Sequence, residues 1–157
     1  MNNKRTRVLD KSQDLAEIKV SYQRKQSETP TIANSKSAFD VLYGLYDKSI
    51  IGLKEEFFIL LLNRANRLLG WFKLSSGGTN GTVADPKIIF MLALKTNTSS
   101  IILCHNHPSG NLQPSDKDVA LTKRIKDAGN LLEISLVDHL IVSPDGKYNS
   151  LADEGLM

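Results

Sequence analysis

The stretch Ile101-Ile102-Leu103-Cys104-His105-Asn106-His107-Pro108-Ser109-Gly110 constrains the fold more than any other part of the chain. A short apolar run bounded by turn residues suits a buried strand. This one ends in a pair of histidines separated by a single residue, and a Pro/Ser/Gly turn follows. Residues i and i+2 of a strand point to the same face, so His105 and His107 should aim both imidazoles at one point. The next segment, Pro114-Ser115-Asp116-Lys117-Asp118, has the composition of a helix start. A helix beginning near Ser115 would put Asp118 in its first turn, close to the strand end. Two imidazoles and one carboxylate are three zinc ligands, and three protein ligands leave a fourth position for water, the pattern of a catalytic zinc site.

Composition removes several classes. A length of 157 residues fits one ordinary domain with a real core. A single cysteine, Cys104, permits no intrachain disulfide and is compatible with a reducing compartment. No apolar stretch approaches the length of a membrane span. The start Met1-Asn2-Asn3-Lys4-Arg5 is basic, but no apolar segment of a signal peptide follows it. A cytoplasmic location is the expectation. A net charge of +3 permits an acidic partner without demanding one, and nucleic-acid binding is the minor alternative.

Periodicity supplies the elements around the histidines. Met1 to Asp14 is polar, Ala16 to Tyr22 alternates as a half-buried strand, and Gln23 to Ala33 reads as a connector. Ala38, Val41, Leu42 and Leu45 recur at helical spacing from Ser35 or Ser37 to about Asp47, with Ser37 as the expected cap. Glu55 to Leu62 is a nearly continuous apolar run behind two acids and suits a strand buried on both faces. Asn63 to Asn66 is a turn and Arg67 to Leu74 a second strand, which together make a hairpin. Ser75 to Gly81 reads as a Ser/Gly loop. Asp85-Pro86 starts a helix ending before Asn97, and Ser99 to Cys104 is the strand that leads to the histidines. The helix from Pro114 should bury Val119, Leu121 and Ile125 and stop at Gly129-Asn130. Leu132 to Val142 is β-prone, and Ser143-Pro144-Asp145-Gly146 turns it into a short strand from Lys147.

The order His-x-His, seven residues, Ser, two residues, Asp resembles the metal motif of the JAB/MPN (JAMM) metalloprotease fold. His-Asn-His-Pro-Ser-Gly is similar to the form it takes in bacterial RadC-like proteins. The resemblance runs from about Ser35 to the C-terminus and includes Glu55 to Asn66, the helix start at Asp85-Pro86, and Asp138-His139-Leu140-Ile141-Val142. It implies an α/β (mixed α+β), cytidine-deaminase-like fold with a central mixed, mostly antiparallel sheet flanked by helices. Residues 1–34 would form an N-terminal extension with one short strand, and residues 35–157 the metallohydrolase domain.

The resemblance also implies a chemistry. Zn2+ would be held by His105, His107 and Asp118, and a glutamate on an early strand would serve as general base. Glu55 and Glu56 are the candidates, and alternation puts one of them on the inner face; Glu55 aligns best, with Phe57, Ile59 and Leu61. The Ser115 hydroxyl would donate to the developing oxyanion. The expected reaction is hydrolysis of a peptide or isopeptide bond in a peptide or protein substrate. Asp138 and His139 are expected to support or pack, Cys104 to be a small buried hydrophobe, and Trp71 and Phe72 to be core or surface patch. A contiguous His-Asn-His triplet is not the metal site of the HNH nucleases, whose residues are spread over a longer ββα segment. Longer RadC-like proteins carry a helix-hairpin-helix segment that could bind DNA, and Met1 to Asn34 is too short for one and lacks its glycine-bearing hairpin. A catalytically silent scaffold, or a protein associated with DNA, is the alternative.

Overall fold

The computed structural model describes residues 21–23, 28–77 and 84–157. The strand expected from Ala16 to Tyr22 lies for the most part outside the described residues. The elements are α1 (Ser35–Tyr43), β1 (Glu56–Leu62), β2 (Leu68–Ser76), α2 (Pro86–Lys95), β3 (Ser100–Asn106), α3 (Asp116–Leu131), β4 (Ser135–Val142) and β5 (Tyr148–Ser150). The strands form one five-stranded mixed sheet in the order β2-β1-β3-β4-β5. β3 and β4 are parallel, and the other pairs are antiparallel. A parallel pair needs a crossover, which α3 supplies between β3 and β4.

The sheet is the middle of three layers. Every residue of β1 and β3 is buried, as expected for strands covered on both faces. Alternation then divides their side chains. Phe58, Leu60, Leu62, Ile102 and Cys104 pack with Ala38, Phe39 and Leu42 of α1 on one face. Phe57, Ile59, Leu61, Ile101 and Leu103 pack with Ile89, Phe90 and Ala93 of α2 and Ile125 of α3 on the other. Burying one such large apolar side chain contributes about 1.5–3 kcal/mol, so the two cores fix which face each strand residue takes.

The expected hairpin forms, with Asn66 at the left-handed position of its turn (φ 54°). Asp85 caps α2 with Pro86 in its first turn. Several expectations are corrected. Asn34, not Ser37, is the N-cap of α1; Ser37 sits at the third helical position and completes a capping box with it. That helix also ends at Tyr43 rather than near Asp47, because Tyr46 leaves the helical course to enter the core and donates its hydroxyl to the Glu56 carbonyl. Gly129 does not terminate α3, which continues to Leu131. A Cβ on Gly129 would lie 2.3 Å from the Ile134 carbonyl oxygen, so this glycine allows the helix to touch the entry to β4. Ser75 and Ser76 belong to β2 rather than to a loop. Thr122, with Ile125 and Gly129, forms the fully buried stripe of α3, while Val119 and Leu121 are half-buried.

Candidate metal centre

His105 is the penultimate residue of β3 and lies on the face that carries Ile101 and Leu103. Its register partner is Phe57, and the two rings stack at 5.4 Å with an interplanar angle of 6°. His107 follows the strand end and keeps the strand direction by donating its backbone N–H to Val142 O (2.9 Å). The chain then turns through Gly110, whose φ of 80° suits glycine, and its N–H bonds back to His107 O. The turn presents Asn111 O to His107 Nδ1 at 2.6 Å. Asp118 arrives from the first turn of α3, where Ser115 and Asp118 form a reciprocal capping box. The cap holds Asp118 Oδ2 with the Ser115 N–H at 2.7 Å and the Ser115 hydroxyl at 2.6 Å.

These constraints bring the three side chains together. His105 Nε2 and His107 Nε2 are 3.0 Å apart, His105 Nε2 is 3.2 Å from Asp118 Oδ1, and His107 Nε2 is 3.7 Å from Asp118 Oδ2. A tetrahedral zinc site with ordinary Zn–N and Zn–O bonds has ligand–ligand edges of about 3.3 Å, so the spacing fits that ion. Among the described residues, His105, His107 and Asp118 are the group of side chains arranged to hold a metal.

The hydrogen bonds around the two rings strengthen the fit. The Thr122 hydroxyl donates to Asp118 O (2.6 Å), so His139 Nδ1, at 2.6 Å, must be the donor to Thr122 Oγ1. Burial pushes the His139 pKa well below the usual histidine value, so the ring is neutral and its Nε2 is an acceptor. His105 Nδ1, at 2.9 Å, therefore donates to it, and His105 Nε2 carries a lone pair. His107 Nδ1 donates to a carbonyl, which leaves its Nε2 as a lone pair in the neutral ring. Two bare nitrogens and a carboxylate facing one point repel one another unless a cation lies between them. Without a metal, a proton meets part of that demand. The hydrogen bond with Asp118 pushes the His107 pKa up, against burial, with help from the Asn111 carbonyl and the charges of Asp118 and Glu55. Burial alone would raise the Asp118 carboxyl, but the two histidines that face it and the Ser115 hydroxyl hold it well below the usual carboxylate range.

The two glutamates separate cleanly. Glu55 lies one residue before β1, half-buried, in the alternation that sends Phe57 to the His105 side. Glu56 points to the opposite face with Phe58 and is 1% exposed; its Oε1 is 2.9 Å from Lys73 Nζ and 3.6 Å from Lys54 Nζ. Ser115 sits beside Asp118, with its hydroxyl proton directed to that carboxylate.

The supporting role expected of His139 and Asp138 takes two forms. His139 orders the His105 ring, whereas Asp138 accepts from Ser150 Oγ (2.7 Å), Ala152 N (3.1 Å) and His139 N (2.7 Å) and ties β4 to the C-terminal segment. Cys104 is buried in the α1-facing core, and burial pushes its thiol up to about 12. Trp71 and Phe72 are surface residues, 51% and 42% exposed. Sequence reasoning missed Thr122 and the buried Asn106. Thr122 lies one helical turn after Asp118 and so shares its face, and that spacing was the available signal.

Comparison with known proteins gives a consistent picture. A family model described as the RadC-like JAB domain matches residues 32–156. A UPF0758 protein of Flavobacterium johnsoniae is 43% identical over 127 residues, covering 80% of this chain and 53% of that protein. One from Porphyromonas gingivalis is 46% identical over 104 residues, 66% of this chain and 46% of that protein. One from Alkaliphilus metalliredigens is 36% identical over 146 residues, 93% of this chain and 62% of that protein. The chain thus spans about half the length of the first two relatives. Among the described residues, no helix is long and apolar enough to cross a membrane.

Proposed function

Because the chain belongs to the RadC-like JAB domain family, we propose that it is a zinc-dependent hydrolase that cleaves a peptide or isopeptide bond. The observation that carries this reading is the convergence of His105 Nε2, His107 Nε2 and the Asp118 carboxylate on one point, with the other nitrogen of each ring engaged in a hydrogen bond. Zinc held by these three side chains would supply Lewis acidity, bringing a water at its fourth position toward neutral pKa and polarising the scissile carbonyl.

The chain's own groups supply the rest. The Glu55 carboxylate accepts a proton from the attacking water and returns it to the leaving amine nitrogen. Its charge acts on His107, which supports a place for it near the metal ligands. Asp118 keeps its position because the Ser115 N–H and hydroxyl both hold Oδ2. The Ser115 hydroxyl, once rotated away from Asp118, is the donor for the oxyanion. Phe57 closes the inner side of the His105 ring and keeps water off that face.

The test is hydrolysis of quenched fluorescent libraries, one of linear peptides and one of lysine-ε-linked isopeptides. Zinc-loaded wild type should cleave members of at least one library. Glu55→Gln should keep zinc and lose about 10²–10⁴-fold in rate, the usual contribution of a positioned base. His107→Ala should lose both zinc and activity. Wild-type rates in Glu55→Gln would remove Glu55 from the mechanism.

A further inference from the structure

The middle residue of the histidine pair has a task of its own. Asn106 is the last residue of β3, and alternation turns its side chain to the face opposite His105. It is 0% exposed, so its carboxamide must find partners within the protein. It finds three. Asn106 Oδ1 accepts from the Glu56 N–H at 2.7 Å, and Asn106 Nδ2 donates to Ile51 O at 2.7 Å and to Lys54 O at 2.9 Å.

Two of these partners, Lys54 O and Glu56 N, belong to the two peptide groups that flank Glu55. The Glu55 carbonyl itself accepts from the Gly77 N–H at 2.9 Å. Glu55 stands just outside β1, where the ladder to β3 begins with Phe57 opposite His105. The ladder to β3 therefore stops short of it: the β2 side holds only its carbonyl, and one side chain from β3 holds the peptide groups on both sides. That side chain lies between the two metal-site histidines in sequence. We propose that Asn106 is a positioning residue: its carboxamide clamps the backbone on both sides of Glu55 and so locks that carboxylate in register with His105 and His107.

The clamp matches the chemistry required. A general base has to stay within one hydrogen bond of the proton it takes. A residue at the frayed start of a strand would wander, since the first residues of an element have the fewest ladder bonds. Asparagine meets the need because it offers one acceptor and two donors on a short planar group. Aspartate keeps the acceptor but sets a carboxylate against the Ile51 and Lys54 carbonyls. Alanine removes all three bonds.

This inference rests on Glu55 being the base, and the experiment separates the two. Cobalt(II) replaces zinc in wild type, Asn106→Ala, Glu55→Gln and the double variant, and the visible spectrum reports the surroundings of the metal. Asn106→Ala should still bind about one metal ion per chain, since it leaves all three ligands in place. Its spectrum should shift toward that of Glu55→Gln, and the double variant should match Glu55→Gln alone. A purely structural role for Asn106 would move the spectrum equally in both backgrounds, or not at all, and either result overturns the proposal. If Glu55→Gln itself leaves spectrum and hydrolysis at wild-type values, the assignment of the base has failed instead. The clamp is then judged by amide exchange alone.

That second measurement starts from the native chain. In the native chain the Glu56 amide and the Asn106 carboxamide protons should exchange as slowly as the centre of β1. In a folded Asn106→Ala the Glu56 amide should lose about tenfold or more in protection, the effect of one buried hydrogen bond. Fast exchange of both groups in the wild type would show that no clamp exists.

Discussion

His139 offers the sharpest test of the hydrogen-bond chain behind the metal site. Its ring is fully buried, accepts from His105 Nδ1 at 2.9 Å and donates to Thr122 Oγ1 at 2.6 Å. Leucine would fill nearly the same volume beside Phe57 but offers neither hydrogen-bonding atom. The His105 N–H would then be buried without an acceptor, which costs about 1–3 kcal/mol. Thr122 keeps its bond to Asp118 O and loses only the incoming donor, about a further 0.5–1.5 kcal/mol. The larger effect falls on the metal. Freed from His139, His105 can move its proton to Nε2 and give it to Asp118 Oδ1, 3.2 Å away, so that the site closes on itself. Loss of such a partner typically lowers metal affinity about 10–100-fold. His139→Gln is the control, because the glutamine oxygen can stand in for Nε2 as acceptor. Zinc affinity is read by competition with a chromophoric chelator. His139→Leu should bind zinc about 10–100-fold more weakly than wild type, and His139→Gln should recover most of the difference. Wild-type affinity in His139→Leu, or equal loss in both variants, would refute the tautomer assignment.

Two further outcomes follow from the same geometry. Gly129→Ala puts a Cβ against the Ile134 carbonyl oxygen, a backbone atom that cannot swing aside, and should cost about 1–3 kcal/mol in urea unfolding with an unchanged m value; wild-type stability would show that the α3–β4 contact is looser than described. In the metal-free protein the folded His107 pKa lies above its ordinary 6.5, so the folded state holds a proton that the unfolded chain has lost. Its stabilisation is complete below about pH 6.5 and disappears as pH rises through the folded pKa; the melting temperature should fall across that interval in metal-free wild type but not in metal-free His107→Gln, and an identical profile in both would contradict it.

The parts legible in the sequence are those decided by neighbours along the chain. His105 and His107 share a face because strand alternation is local, and Asp118 joins them because a turn and a cap follow at once. Asp85-Pro86 starts α2 as expected for the same reason. The rest is decided where two neighbouring residues compete for one position or where distant chain segments meet. Asn34 took the cap of α1 from Ser37, since both residues favour that position and the box they form uses both. Gly129 looked like a helix stop but answers to the backbone of Ile134. The choice between Glu55 and Glu56 was half visible in alternation; it sharpens with the ion pairs from Lys73 and Lys54, which hold Glu56 on the far face. Thr122 and Asn106 were hidden because a buried polar side chain declares its role only through its partners.

The most direct measurement is metal analysis of the purified chain after zinc is supplied and excess removed, repeated on His107→Ala and Glu55→Gln. If the proposed function is right, we expect about one zinc per chain in wild type and in Glu55→Gln, and none retained in His107→Ala. A wild-type chain that holds no zinc under these conditions, or a His107→Ala variant that holds as much, would contradict a metal centre built from His105, His107 and Asp118.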